Sequence, residues 1–185
     1  TLVEAYARYR AATAEPWPLV LAGDGPMRGV IEARIAALGL SGDVVLPGFL
    51  QYDALPAFYG LAGAFILAST SEQWGLVVNE AMASGSPVLV SDRCGSARDL
   101  VRDGVTGHVF DPFDVDAIAA SMRRVSRDGA AREAMGRAAS RHVAAWGLPR
   151  FADGLASAAA IAIAASRRRG ALDRALLRVV AGAIG

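Results

Sequence analysis

The 185-residue chain contains no lysine, and all 19 of its basic residues are arginine. Any pairing of an anionic ligand with a lysine ammonium must therefore come from outside this sequence. Set against 18 acidic residues, the arginines leave a net charge of +1, which offers no broad electrostatic footprint for nucleic acid. No nucleic-acid partner is expected. The single cysteine, Cys94, excludes an intrachain disulfide, and no metal-ligand cluster surrounds it. Followed by Gly95-Ser96, it reads as a small loop residue. Only two histidines occur, His108 in a strand-like run and His142 in an Ala/Arg-rich helix, and neither has an acid or nucleophile pattern around it. The apolar run from Leu155 to Ser166 is too short to span a bilayer.

What is present favours one principal globular domain: 54% of residues are hydrophobic and 20% charged, enough to bury a substantial core. From Thr1 to about Trp146, helix-length segments alternate with short apolar runs. These runs are Pro18-Leu19-Val20-Leu21-Ala22, Val44-Val45-Leu46, Ala64-Phe65-Ile66-Leu67, Pro87-Val88-Leu89-Val90 and Gly107-His108-Val109-Phe110. Runs without polar alternation predict an α/β fold, Rossmann-like, with a largely parallel sheet covered by helices on both faces. Ligands in such sheets bind beyond the carboxyl ends of the strands, where Gly23, Gly48, Glu72 and Cys94-Gly95 would fall. The chain opens as an amphipathic helix from Thr1. Asp53 and Asp114 are placed to cap the helices that follow them.

The segment Glu72-Gln73-Trp74-Gly75-Leu76-Val77-Val78-Asn79-Glu80 carries the chemistry. A polar loop, Ser69-Thr70-Ser71, leads from the third apolar run to Gly75, and helical apolar spacing runs from Leu76 to Ala83. Glu72 then stands at the carboxyl end of a strand. Side chains on a helix lean toward its N-terminus, so Glu80, about one turn in, could reach the same mouth. The amides of Gly75, Leu76 and Val77 are first-turn donors at the positive end of the helix dipole, which suits a phosphate. Carboxylates suit hydroxyl donors such as those of ribose or a hexose. Trp74 could shield a sugar or close the loop by packing. Asn79 points elsewhere on the helical wheel and is not assigned to the site.

Glu72 and Glu80, separated by seven residues, together with Trp74-Gly75-Leu76-Val77 and Glu80-Ala81-Met82-Ala83-Ser84-Gly85-Ser86-Pro87-Val88, resemble the retaining nucleotide-sugar glycosyltransferases of family 4, which have the GT-B fold. Leu21-Ala22-Gly23-Asp24-Gly25-Pro26, Val45-Leu46-Pro47-Gly48-Phe49 and Cys94-Gly95-Ser96-Ala97-Arg98-Asp99-Leu100-Val101-Arg102-Asp103-Gly104-Val105-Thr106-Gly107 match in the same order. The resemblance implies the carboxy-terminal donor-binding domain of such an enzyme. It gives Glu72 the donor-sugar hydroxyls near the reacting centre, Glu80 the ribose hydroxyls, and Gly75, Leu76 and Val77 the phosphate. Gly48 would lie near the nucleobase, with Phe49 either beside it or packed in the core. A nucleotide-diphosphate sugar is the donor substrate, with no cofactor and no metal. In the family an Arg and a Lys ahead of this region clamp the diphosphate. With no lysine and no opening strand, the sequence reads as a fragment that lacks its first strand and its amino-terminal acceptor domain, and that is inactive alone.

Domain boundaries are expected at 1–146 for the nucleotide-sugar-binding part and 147–185 for a helical tail. The tail is apolar around Ile161 and Ile163, then carries Arg167-Arg168-Arg169. Farther on, Leu172, Leu176, Val179 and Ala183 share one stripe, with Arg174 and Arg178 on another. This pattern is compatible with packing against the absent domain, self-association or contact with an anionic membrane. A cytoplasmic location, peripheral to the membrane if the tail makes that contact, follows by analogy. Two other readings remain open. One is a different GT-B enzyme, a sugar phosphorylase or nucleotide-sugar epimerase; the other is a non-catalytic ligand-binding or assembly module.

Overall fold

In the computed structural model, which describes residues 1–167, the alternation of helical spacing and apolar runs becomes an alternation of elements. In order these are α1 (Leu2–Ala11), β1 (Leu19–Ala22), α2 (Arg28–Ala37), β2 (Val44–Gly48), α3 (Leu55–Leu61), β3 (Phe65–Leu67) and α4 (Leu76–Ala83). Then follow β4 (Val88–Ser91), α5 (Ala97–Leu100), β5 (Gly107–Phe110), α6 (Val115–Arg127), α7 (Gly129–Val143) and α8 (Leu148–Arg167). The fold is α/β, as expected, and every strand pairing in it is parallel.

β1 pairs with β2, Leu19 opposite Val44, and β4 lies between β3 and β5, with Leu89 opposite both Ile66 and His108. The parallel pairing expected from the sequence is thus present, carried by two ladders. Among the described residues no ladder joins β1 to β3. All four residues of β4 are buried, as a strand covered on both faces requires. Side chains alternate across a strand. Leu89 accordingly joins a core built by Val3, Tyr6 and Tyr9 of α1, Leu19, Ile35, Val44, and Ile118 and Val125 of α6. Its neighbours Val88 and Val90 are buried outside that cluster, and α4 and α7 pack against each other and reach this sheet.

Side chains cap α6 and α7, whereas α1 to α5 begin without a side-chain cap. Asp114 caps α6, its Oδ1 accepting the N–H groups of Asp116 and Ala117, both at 2.9 Å. Asp114→Ala is expected to cost about 1 kcal/mol and Asp114→Asn much less, seen as a shift of the urea midpoint at unchanged slope. Equal losses in the two variants would remove the cap from the account. Asp53 does not cap α3, contrary to expectation. A turn in which the Ala54 N–H bonds to the Gln51 carbonyl at 3.0 Å makes Ala54 the boundary residue, and no side chain caps that helix.

The chain falls into two compact units, Thr1–Ala144 and a second that begins at Ala145. In the second, α8 runs for 20 residues, about 30 Å at 1.5 Å per residue. Its Leu148–Ala165 stretch, 18 residues of mean hydropathy 1.3, is long and apolar enough to cross a membrane by length and composition. That corrects the expectation of a run too short to span, because the helix starts at Leu148 and takes in Phe151. The stripe from Leu172 to Ala183 and its arginines lie outside the described residues.

Candidate functional site

Two loops at the carboxyl ends of β3 and β4 are bonded to each other along their length. The Glu72 N–H donates to the Arg93 carbonyl at 3.2 Å, and the Gly95 N–H donates to the Glu72 carbonyl at 3.0 Å. Beyond them the Ser96 N–H and the Cys94 thiol both donate to the Trp74 carbonyl, at 3.1 and 2.9 Å. Cys94 is buried and serves this junction, as a small loop residue should. Gly95 is required by close approach: a Cβ there would stand 1.8 Å from the Gln73 carbonyl oxygen.

Gly75 ends the loop at φ +81°, a left-handed conformation that side chains resist, and it is the N-terminal boundary residue of α4. Glu72 lies against it. A Cβ on Gly75 would come within 3.3 Å of Glu72 Cγ and 2.8 Å of Cys94 Sγ. No side chain caps α4, and the Val78 N–H closes back on the Gly75 carbonyl at 2.9 Å. The amides of Gly75, Leu76 and Val77 have no protein acceptor among the described residues. The sequence-assigned carboxylate and the three amides are therefore neighbours at the positive end of a helix dipole.

Glu80 sits farther along α4, half-buried, and its Oε2 accepts the Tyr59 hydroxyl of α3 at 2.9 Å. Burial first, and then the bond to Glu80 and its charge, push the Tyr59 phenol well above its ordinary range. Tyr59 therefore stays a protonated donor. Gly48, at the end of β2, belongs to the other ladder. It is buried, and its carbonyl accepts the Gly23 N–H at 2.8 Å. Phe49 after it is 72% exposed, which removes the core-packing alternative for its ring.

Arg28 is the nearest cation to Gly48, with Nη1 3.5 Å from where a Cβ would stand. It is committed elsewhere: Nε to Glu32 at 2.8 Å, Nη2 to the Leu46 carbonyl at 3.2 Å and Nη1 to Asp24 at 3.7 Å.

Sequence reasoning missed three pairings. The Trp74 indole N–H donates to Asn79 Oδ1 at 2.9 Å, so Asn79, left out of the site, closes the loop that carries Glu72. The Tyr59 hydroxyl donates to Glu80 from another helix, 21 residues away, a contact that no spacing in the sequence marks. His108 has an acid after all, Asp103, whose Oδ1 lies 3.0 Å from Nδ1 and also accepts the Val109 N–H at 3.2 Å. The Asp103–His108 pair spans a turn, and only that turn's closure brings the two together.

The arrangement has solved counterparts. Sucrose-phosphate synthase from Thermosynechococcus elongatus superposes with a TM-score of 0.74 at 26% identity, over 88% of this chain and 42% of that one. HepE of Anabaena, solved with UDP and glucose, gives a TM-score of 0.71 at 23% identity, over 84% of this chain and 44% of its own. The fold is that of GT-B glycosyltransferases. Residues 1–142 match the family model described as glycosyl transferases group 1, and the chain belongs to that family. Among named relatives, alpha-D-kanosaminyltransferase of Streptomyces kanamyceticus is 35% identical over 116 residues, 63% of this chain and 30% of that enzyme. The chain spans between 22% and 36% of the length of the named relatives it matches.

Proposed function

We propose that this chain is the carboxy-terminal, donor-binding part of a retaining family 4 glycosyltransferase, which moves a sugar from a nucleoside diphosphate to an acceptor. The observation that carries the reading is Glu72 packed against Gly75 at an uncapped helix N-terminus. Backbone amides of Gly75, Leu76 and Val77 receive the diphosphate as its negative charge grows in the transition state, and Glu72 takes sugar hydroxyls beside the bond that breaks. Glu80 receives the ribose and Gly48 lies along the base. HepE, a protein of the same fold, was solved with UDP and with UDP-glucose.

The two carboxylates are not the acid and nucleophile of a glycosidase. Transfer proceeds on the donor face that holds the leaving phosphate, without a protein nucleophile. The acceptor site and a cationic clamp on the diphosphate belong to the rest of the enzyme, so the chain by itself binds donor weakly and does not turn over. The whole enzyme works in the cytoplasm.

Ligand-observed NMR with uridine, guanosine and adenosine diphosphates and their sugars tests this. Saturation transfer to ribose and sugar is expected from at least one of them. Glu80→Gln should weaken that binding about tenfold or more, the worth of a charge-assisted hydrogen bond. Absence of transfer from every nucleotide would overturn the donor-domain reading, and an unchanged affinity in Glu80→Gln would remove Glu80 from the site.

A further inference from the structure

We propose that Tyr59 is a positioning residue for the nucleotide site, holding the Glu80 carboxylate in the orientation that receives the ribose hydroxyls; the proposal rests on the donor-site reading above. α3 is fastened to α4 at two points through this one residue. The Tyr59 carbonyl accepts the hydroxyl of Ser86, 3% exposed, at 2.9 Å just beyond the end of α4, and the Tyr59 hydroxyl reaches Glu80 Oε2 within the helix. The ring is set as well. It meets Phe65 of β3 edge-on, centroids 5.9 Å apart with planes at 67°. The phenol oxygen is therefore fixed by backbone and ring together, and it fixes one oxygen of Glu80.

A carboxylate offers about four acceptor sites. With Oε2 held by Tyr59, Oε1 has no protein donor among the described residues. It remains an acceptor for a vicinal diol. A glutamate on a helix otherwise samples several rotamers, and ordering it only when ligand arrives costs affinity. Tyr59 removes that cost in advance. Because its hydroxyl stays protonated, it donates to Glu80 and cannot repel it.

A purely structural role, tying α3 to α4, would lower stability without changing which sugar the site prefers. The experiment therefore reads a ratio. The chain is titrated with uridine diphosphate and its 2′,3′-dideoxy analogue, and with the guanosine pair in parallel, by ligand-observed NMR. Wild type is expected to favour the ribose form about tenfold, and Glu80→Gln to erase that preference. Tyr59→Phe keeps the ring against Phe65 and should reduce the preference about threefold, with no further effect on the Glu80→Gln background. Should Tyr59→Phe fail to fold, Tyr59→Met fills the same space without a hydroxyl and reads the same ratio. Undiminished preference in the Tyr59 variant, alongside loss in Glu80→Gln, would overturn the Tyr59 proposal alone. A wild type blind to the ribose hydroxyls, or binding no nucleotide, would overturn the donor-site reading and this proposal with it.

Discussion

Gly95→Ala is expected to destabilise the protein by about 3 kcal/mol or more and to abolish nucleotide binding with it. The added Cβ would stand 1.8 Å from the Gln73 carbonyl oxygen and 2.8 Å from its carbon. Both are main-chain atoms, so no side-chain rotation can relieve the clash. The two loops must part, and that breaks the Gly95 N–H bond to Glu72 and strains the Ser96 N–H bond to Trp74. Glu72 is held by its place in this junction, so stability and binding should fall together. Urea unfolding and the nucleotide titration check it. A midpoint equal to wild type would show that the loops separate at no cost, and the assignment of Glu72 would lose its structural support.

Tyr6→Ala is the second large effect, expected at about 3–5 kcal/mol. Tyr6 is 2% exposed, packs in the core of α1 and α6, and its hydroxyl lies 2.9 Å from the Trp17 carbonyl and 3.2 Å from that of Asp43. One side chain thus ties α1 to the approaches of both β1 and β2. Tyr6→Phe keeps the ring and takes the hydroxyl donor from the Trp17 carbonyl, while the Asp43 carbonyl still accepts the Leu19 N–H at 2.9 Å; the cost is about 1 kcal/mol. Set against a total stability of about 5–15 kcal/mol, the alanine variant leaves the first unit marginal. Comparing urea midpoints across the three proteins separates ring from hydroxyl. Equal losses in Tyr6→Phe and Tyr6→Ala would mean that the hydrogen bonds, and not the buried ring, hold α1 in place.

Neither change touches a residue assigned to ligand. Both test what places the site, which is where the structure adds most to the sequence. The exposed partners of surface ion pairs, such as Arg8 with Asp116 across α1 and α6, carry little by comparison.

The order of elements was legible in the chain because it rests on local causes. α4 runs from Leu76 to Ala83 as its spacing predicts, β5 is the Gly107–Phe110 run, and Asp114 caps α6 through an aspartate two and three residues ahead of its donors. The placing of Glu72 at a strand end before a glycine-started helix was legible for the same reason. Three things were decided only by tertiary structure. The apolar runs cannot say which strands pair, and the expected parallel pairing is carried by two ladders. Asn79 looked misdirected on a helical wheel, yet the indole that reaches it comes from the loop before the helix. Tyr59 and Glu80 are 21 residues apart on different helices, and no periodicity relates them. Local hydrogen bonding and alternation are written in neighbouring residues, whereas the orientation of a carboxylate depends on which distant surface the folded chain brings against it.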